Sequence, residues 1–255
     1  MKLYYIGTGA ADWTRESGAK DGVMRKFTAN LINHDLMIDL APTTPLSLFD
    51  EGGLCEAVRY IVYTHSHNDH YDAGVLLTLL EKKQLTVLCH KVFASRLPSH
   101  PNLEVMSLES ENEVSLGEYT ILPLRANHRV TRYPEEQPLH YVISCEGKKL
   151  FWGADGAWLY CDTWQALRKQ APFDRIVLDG TLGEGEGDYR IFEHNNLPMV
   201  RLMRDTFTRL NLLKDGGQLW LTHLSRDAHI SPISLARALR EENIYVANDD
   251  MKDEF

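Results

Sequence analysis

Cysteine is scarce in this sequence and never paired. Cys55, Cys89, Cys145 and Cys161 are scattered through 255 residues with no Cys-x-x-Cys motif. That spacing argues against a disulfide framework or a structural zinc knuckle, and it reads as free buried thiols. Long apolar runs are missing too. No stretch approaches the ~20 residues that cross a bilayer, and Leu3 to Ile6 is too short for the core of a signal peptide. A cytoplasmic protein with no membrane partner is therefore expected. Basic charge is in deficit: 27 Lys and Arg stand against 36 Asp and Glu, a net −9. The phosphates of a long nucleic acid repel such a chain, which argues against a large RNA or DNA partner. The sequence has no repeat, no low-complexity segment and no Pro/Gly/Ser linker, so it is read as one domain over 1–255.

What is present is a globular balance, 44% hydrophobic and 25% charged, and 11 histidines. Apolar patterning predicts strands over Lys2 to Ile6, Phe27 to Ile32, Leu36 to Leu40, Tyr60 to Tyr63 and Leu85 to Cys89. Further strands are predicted near 104–108, 119–125, 141–145, 149–152, 175–179, 218–222 and 244–247. Helical spacing is read over Ser47 to Arg59, Tyr71 to Lys83, Asp162 to Gln170, Leu197 to Leu213 and Pro232 to Glu242. Strands dominate the first half, and strands and helices alternate in the second. That order suggests sheets packed together and covered by helices.

The chemistry is concentrated in Thr64-His65-Ser-His67-Asn-Asp69-His70, directly after an apolar strand. A strand end is rigid, and a loop that leaves it can aim several side chains at one point. Imidazole nitrogen and carboxylate oxygen suit zinc, manganese or iron. His65 and His67 lie two apart and share one side of an extended backbone. Asp69 and His70 follow a turn and can face a second ion.

This stretch resembles the signature His-x-His-x-Asp-His of the metallo-β-lactamase superfamily, and the resemblance runs along most of the chain. Later matches arrive in the family's order: His128 in Leu122-Pro-Leu-Arg-Ala-Asn-His128, Asp155 in Phe151-Trp-Gly-Ala-Asp155, and His223 in Leu219-Trp-Leu-Thr-His223. The resemblance implies an α/β fold, a four-layer αββα sandwich of two mixed sheets flanked by helices. It implies one divalent metal on His65, His67 and His128 and a second on Asp69, His70 and His223, with Asp155 bridging. Zinc is the first expectation, and manganese or iron also fit. Asp69 is read as catalytic as well as ligating. Asp39, near a strand end, is expected to brace the histidine loop. Two cations so placed activate water near neutral pH, and no serine or cysteine nucleophile is needed.

For the substrate, Phe192-Glu-His194-Asn-Asn-Leu-Pro198 and Ile6-Gly-Thr-Gly-Ala-Ala11 resemble the cyclic-phosphate phosphodiesterases of phosphonate breakdown. The second of these motifs also resembles the related tRNA 3′-processing endonucleases. By that resemblance His194 contacts the scissile phosphate or protonates the leaving oxygen. The long basic arm of the tRNA-processing group is missing, which favours a small anionic substrate. His229, Arg129 and Arg132 are candidates for the mouth of the site, with solvated loop positions as the alternative. A phosphodiesterase on a small, cyclic or acyclic, phosphate ester is expected. A lactone or thioester hydrolase is the runner-up, and a non-catalytic metal-binding regulatory module is the reading from another class. Oligomeric state is left open, a homodimer being compatible with the sequence.

Overall fold

The computed structural model describes residues 1–14 and 16–255. The strands are β1 (Lys2–Gly7), β2 (Ala29–Ile32), β3 (Leu36–Leu40), β4 (Tyr60–Val62), β5 (Leu85–His90), β6 (Leu103–Leu108), β7 (Val114–Leu116), β8 (Tyr119–Arg125), β9 (Leu139–Cys145), β10 (Lys148–Gly153), β11 (Phe173–Asp179), β12 (Leu213–Thr222), β13 (Ile244–Val246) and β14 (Met251–Glu254). The helices are α1 (Ala73–Leu80), α2 (Lys91–Ala94), α3 (Cys161–Gln170), α4 (Leu197–Arg209) and α5 (Pro232–Glu241). One sheet has the order β14-β1-β2-β3-β4-β5-β6, and the other β13-β12-β11-β10-β9-β8-β7. Both are mixed, and helices cover the outer face of each. This is the αββα sandwich.

Alternation along the strands builds the layers, because successive side chains point to opposite faces. Leu36 and Ile38 of β3 enter the cluster between the sheets, where they meet Tyr141, Trp152 and Val177. Met37 and Leu40 face outward against Leu76, Leu79 and Leu80 of α1 and Phe93 of α2. On the far sheet Phe151, Ile176 and Leu178 face outward against Leu167, Val200, Phe207, Leu235 and Leu239 of the covering helices. Helix starts are fixed locally. Asp72 accepts from the Val75 amide at 2.9 Å before α1, and Asn196 accepts from the Met199 amide at 2.9 Å before α4.

Four expectations need correction. The helix read over Ser47 to Arg59 is only a 3-10 turn at Leu46–Phe49. A Cβ on Gly53 would lie 2.3 Å from the Leu48 carbonyl oxygen, so the chain folds back where a helix would run straight. Helix α4 stops at Arg209 rather than Leu213, because Asn211 turns the backbone at φ 54° and Leu213 already belongs to β12. The short elements α2, β7 and β14 were not anticipated. Cys161 is exposed, while the other three thiols are buried. Among the described residues, no helix is long and apolar enough to cross a membrane.

β8, β10, β11 and β12 run in one direction in their sheet, as do β1, β3, β4 and β5 in theirs. Chain leaving the carboxyl ends of β4, β8, β10 and β12 reaches His65, His128, Asp155 and His223 respectively. Open α/β sheets bind ligands in this place, outside the carboxyl ends of their strands.

Candidate metal centre

The histidine loop is held from beneath and from behind. The Asp39 carboxylate accepts from the Thr64 amide at 2.8 Å and from the Thr64 hydroxyl, and it meets His70 Nδ1 at 2.8 Å. Asp39 is fully buried and its backbone has φ 59°. That left-handed conformation costs about 1–2 kcal/mol in an L-residue and persists only where its surroundings impose it. Behind the loop, Glu136 accepts from the Ser66 amide at 2.8 Å and the Ser66 hydroxyl at 2.6 Å, and it pairs with Arg96. The sequence reading missed Glu136, whose neighbours in sequence give no sign of its burial.

The loop delivers two sets of donor atoms. His65 Nε2 lies 2.8 Å from His67 Nδ1, which lies 3.1 Å from His128 Nε2. On the other side, His223 Nε2 lies 3.3 Å from both His70 Nε2 and Asp69 Oδ2. One atom touches both sets. Asp155 Oδ2 stands 3.4 Å from His128, 3.8 Å from His65, 3.6 Å from His70 and 3.5 Å from His223, each measured to Nε2. A tetrahedral ion with bonds of ~2.0–2.1 Å holds its ligands about 3.3–3.4 Å apart. Most separations in the two sets, 3.1–3.8 Å, bracket that value, and only His65–His67 at 2.8 Å is clearly shorter.

The ring orientations also fit cations. The Glu193 carbonyl accepts from His128 Nδ1 at 3.1 Å, which leaves Nε2 of the neutral ring as a lone pair. Burial presses His128 down to about 4 and pushes His65 well below its ordinary value, so both are neutral at pH 7. Burial works in the same direction on His70 and His223. There it is outweighed, by Asp69 and Asp39 for His70, and by Asp155, Asp179 and Asp69 for His223, which is raised to about 9. Burial favours the neutral form of Asp155, but His128, His223 and His194 hold its carboxyl far below the usual range. The result is an anion ringed by imidazoles, of which His65, His70, His128 and His223 are each held through Nδ1.

Residues 40–224 match the family described as a beta-lactamase superfamily domain. The chain belongs to the metallo-β-lactamase superfamily. Solved structures with the same fold include YhfI from Bacillus subtilis, at 15% identity over 99% of each chain with a TM-score of 0.74. Zn2+-bound PqqB from Methylobacterium extorquens aligns at 13% identity over 100% of each chain, with a TM-score of 0.75. The short form of human tRNase Z aligns at 18% identity over 100% of this chain and 99% of that one, with a TM-score of 0.69. At such identities the likeness shows the fold. No curated protein sequence matches the chain.

The face that carries both donor sets opens into a cavity of about 260 Å³, lined by His67, Asp69, His128, Asp155 and His223 together with His194. His194 lies where β11 hands over to α4. Its Nδ1 sits 2.7 Å from Asp155 Oδ1 and 3.1 Å from Asp179 Oδ2. Burial opposes its protonation, yet these two carboxylates hold His194 well above the ordinary histidine value. With Nδ1 engaged, Nε2 is the nitrogen left to meet a substrate.

Asp179, the last residue of β11, escaped the sequence reading. Its fully buried carboxylate accepts from the Thr181 amide at 2.9 Å, the Thr181 hydroxyl at 2.8 Å and the Asn195 amide at 3.1 Å. Thr181 Oγ1 in turn meets His223 Nδ1 at 2.7 Å. Asp179 thus does for His223 and His194 what Asp39 does for His70. Its signal was available, since both are aspartates near the end of an apolar strand. Asp179→Ala should weaken metal binding roughly 10- to 100-fold, measured by chelator competition. Unchanged affinity would show that Thr181 alone orients His223.

The other mouth candidates lie elsewhere. His229 is buried behind the site, where its Nε2 meets the Gly180 carbonyl at 2.6 Å, and it does not line the cavity. Arg129 and Arg132 are exposed outside the cavity. The arginine that does line it is Arg190, which the sequence reading passed over.

Proposed function

We propose that this chain is a two-metal phosphodiesterase acting on a small phosphate ester. In this reading His65, His67 and His128 hold one ion, and Asp69, His70 and His223 hold the other. Asp155 Oδ2 is shared between them. The observation that carries the reading is that shared oxygen, within 3.8 Å of four imidazole nitrogens from both sets. Superfamily membership places the chain among metal-dependent hydrolases. Neutral imidazoles and carboxylates suit zinc first, and manganese or iron next. When bound, such ions supply Lewis acidity, which activates water near neutral pH and offsets charge on the ester oxygens.

The protein's own residues do the rest. Asp39, Asp179 through Thr181, and the Glu193 carbonyl hold the Nδ1 atoms of His70, His223 and His128, so that each presents Nε2 to the donor cluster. Asp69 is both a ligand and a wall of that cavity. His194, whose Nδ1 lies between Asp155 and Asp179, gives its Nε2 proton to the leaving oxygen as water attacks phosphorus and the ester phosphorus–oxygen bond breaks. A cavity of about 260 Å³ suits a small ester. An acidic chain does not favour a long nucleic acid.

The test is turnover of bis(p-nitrophenyl) phosphate by the zinc-loaded chain, set beside a lactone and a thioester. Hydrolysis of only the carbonyl compounds would remove the phosphodiester assignment. His194→Ala should lower kcat on an alkyl phosphodiester about a hundredfold. The loss should be smaller on the nitrophenyl ester, whose leaving group departs without a proton. Equal losses on both would take His194 out of the general-acid role.

A further inference from the structure

The first donor set is assembled from two loops that leave different sheets. His65 and His67 follow β4 in one sheet, and His128 lies between β8 and β9 in the other. A metal site must hold its ligands within about 0.5 Å of the working geometry. Rings brought together across two sheets therefore need a tie close to them.

Glu136 supplies such a tie. It belongs to the same loop as His128, and its side chain is fully buried. Its Oε1 accepts from the Ser66 amide at 2.8 Å, and its Oε2 accepts from the Ser66 hydroxyl at 2.6 Å. Ser66 is the residue between His65 and His67. Arg96, just past α2, closes the triangle: its Nη2 donates to the Ser66 hydroxyl oxygen at 2.9 Å and to Glu136 Oε2. The Arg96 guanidinium also lies 3.6 Å from the ring centre of Tyr133, another residue of the His128 loop.

His67 is the ligand that depends most on this grip. His65, His70, His128 and His223 are each held through Nδ1. His67 instead turns Nδ1 to the donor cluster, 2.8 Å from His65 Nε2 and 3.1 Å from His128 Nε2. Among the described residues its Nε2 meets no hydrogen-bond partner, so the backbone has to set the place of the ring. On one side the His67 carbonyl accepts from the His70 and Tyr71 amides at 3.0 and 2.9 Å, bonds that stay within the loop. On the other side stands Ser66, gripped from the opposite sheet. The second donor set has no share in this grip, because Asp39 holds His70 and Thr181 holds His223. A buried carboxylate paired with arginine contributes little net stability over an apolar pair of that size, and its better use is to fix a geometry.

We propose that Glu136 is a positioning residue for the first ion. By gripping Ser66 from the loop that carries His128, it joins the two halves of the first donor set and raises the affinity of that set alone. This rests on the two-set reading of the centre, and it makes the two ions separately adjustable.

The test is zinc binding by the metal-free full-length chain, measured by competition with a chromophoric chelator. In a His223→Ala background the first set is the one left intact, and in a His128→Ala background the second. Glu136→Gln should weaken zinc binding about tenfold in the first background, as should Ser66→Ala. The two changes together should cost little more than either alone, since they break one shared contact. In the second background each should leave the affinity within about twofold of its parent. Ser66 is half-buried and loses only a hydroxyl, so Ser66→Ala carries the test even if Glu136→Gln fails to fold. Unchanged zinc affinity in the first background would overturn the proposal and leave the Glu136–Arg96 pair as packing. Equal weakening in both backgrounds would overturn it too, since the grip would then support the loop as a whole. A native chain that takes up no zinc would remove the two-metal reading and the proposal with it. Uptake of two ions by a native chain whose variants show no such selectivity would remove the proposal alone.

Discussion

Asp155→Ala should cut phosphodiester hydrolysis by about three powers of ten, as expected when several kcal/mol of metal-ion charge stabilisation is removed. The same variant should bind fewer ions, falling from two per chain to one or none. The reason is geometric. Oδ2 of this residue stands within 3.8 Å of four imidazole nitrogens drawn from both donor sets, and no second described carboxylate has that position. Removing it leaves each set with three donors at most and leaves two cations without a shared anion between them. Asp155→Asn separates charge from shape, since the amide keeps the volume and loses the negative oxygen. The measurements are kcat/KM on a phosphodiester and metal content by elemental analysis. A variant that retains two ions and the native rate would sink the bridging role.

Opposite pH dependences of thermal stability are expected with and without metal. In chelator, His223 is held at about 9 although burial pulls it down, because Asp155, Asp179 and Asp69 face it. A group raised in the folded state contributes stability that is complete below its unfolded value of 6.5 and is lost as pH climbs through 9. Each tenfold in proton affinity is ~1.4 kcal/mol, so His223 alone loses on the order of 3 kcal/mol across that window. His70, also raised, adds in the same direction. The depressed carboxylates Asp69 and Asp155 contribute above their ordinary range and are silent here. At roughly 2–4 °C per kcal/mol for a chain of this size, Tm in chelator should fall by roughly 6–12 °C between pH 6.5 and 9. With zinc the slope should reverse. The ion competes with these same protons, so its affinity, and the stability it confers, grows as pH rises. Melting curves in chelator and in zinc across this range provide the check. Parallel slopes in the two series would show that the imidazoles are not held by these carboxylates.

The loop from His65 to His70 was legible in one dimension because metal chemistry at a strand end needs several donors at short, fixed offsets. His128, Asp155 and His223 were legible only as a series, each following an apolar strand in the order that the resemblance implied. His194 was found through its neighbours in sequence. Asp179 and Glu136 were not found, and the reason is common to both. Neither sits in a motif, although Asp179 shares with Asp39 its place at the end of an apolar strand, and their work is to hold residues far away in sequence. Arg129 and Arg132 misled for the converse reason. Proximity to His128 along the chain is not proximity across the cavity, and the cavity's arginine comes from the turn before α4. The helix read over Ser47 to Arg59 failed where Gly52 and Gly53 turn the chain back on Leu48.

By itself, then, the sequence determined the donor types that gather at the centre, the alternating strands and the sandwich they build. Donor types and strand periodicity are properties of residues and their immediate spacing. The tertiary structure decided that His65, His70, His128 and His223 turn Nε2 toward Asp155, and that one oxygen of that carboxylate stands within 3.8 Å of all four. Those depend on bonds between β3 and the loop after β4, and between the end of β11 and the loop after β12. Those contacts are created by the parallel pairing of β3 with β4 and of β11 with β12, and each donor set is completed by a histidine from the other sheet only when the two sheets close on each other.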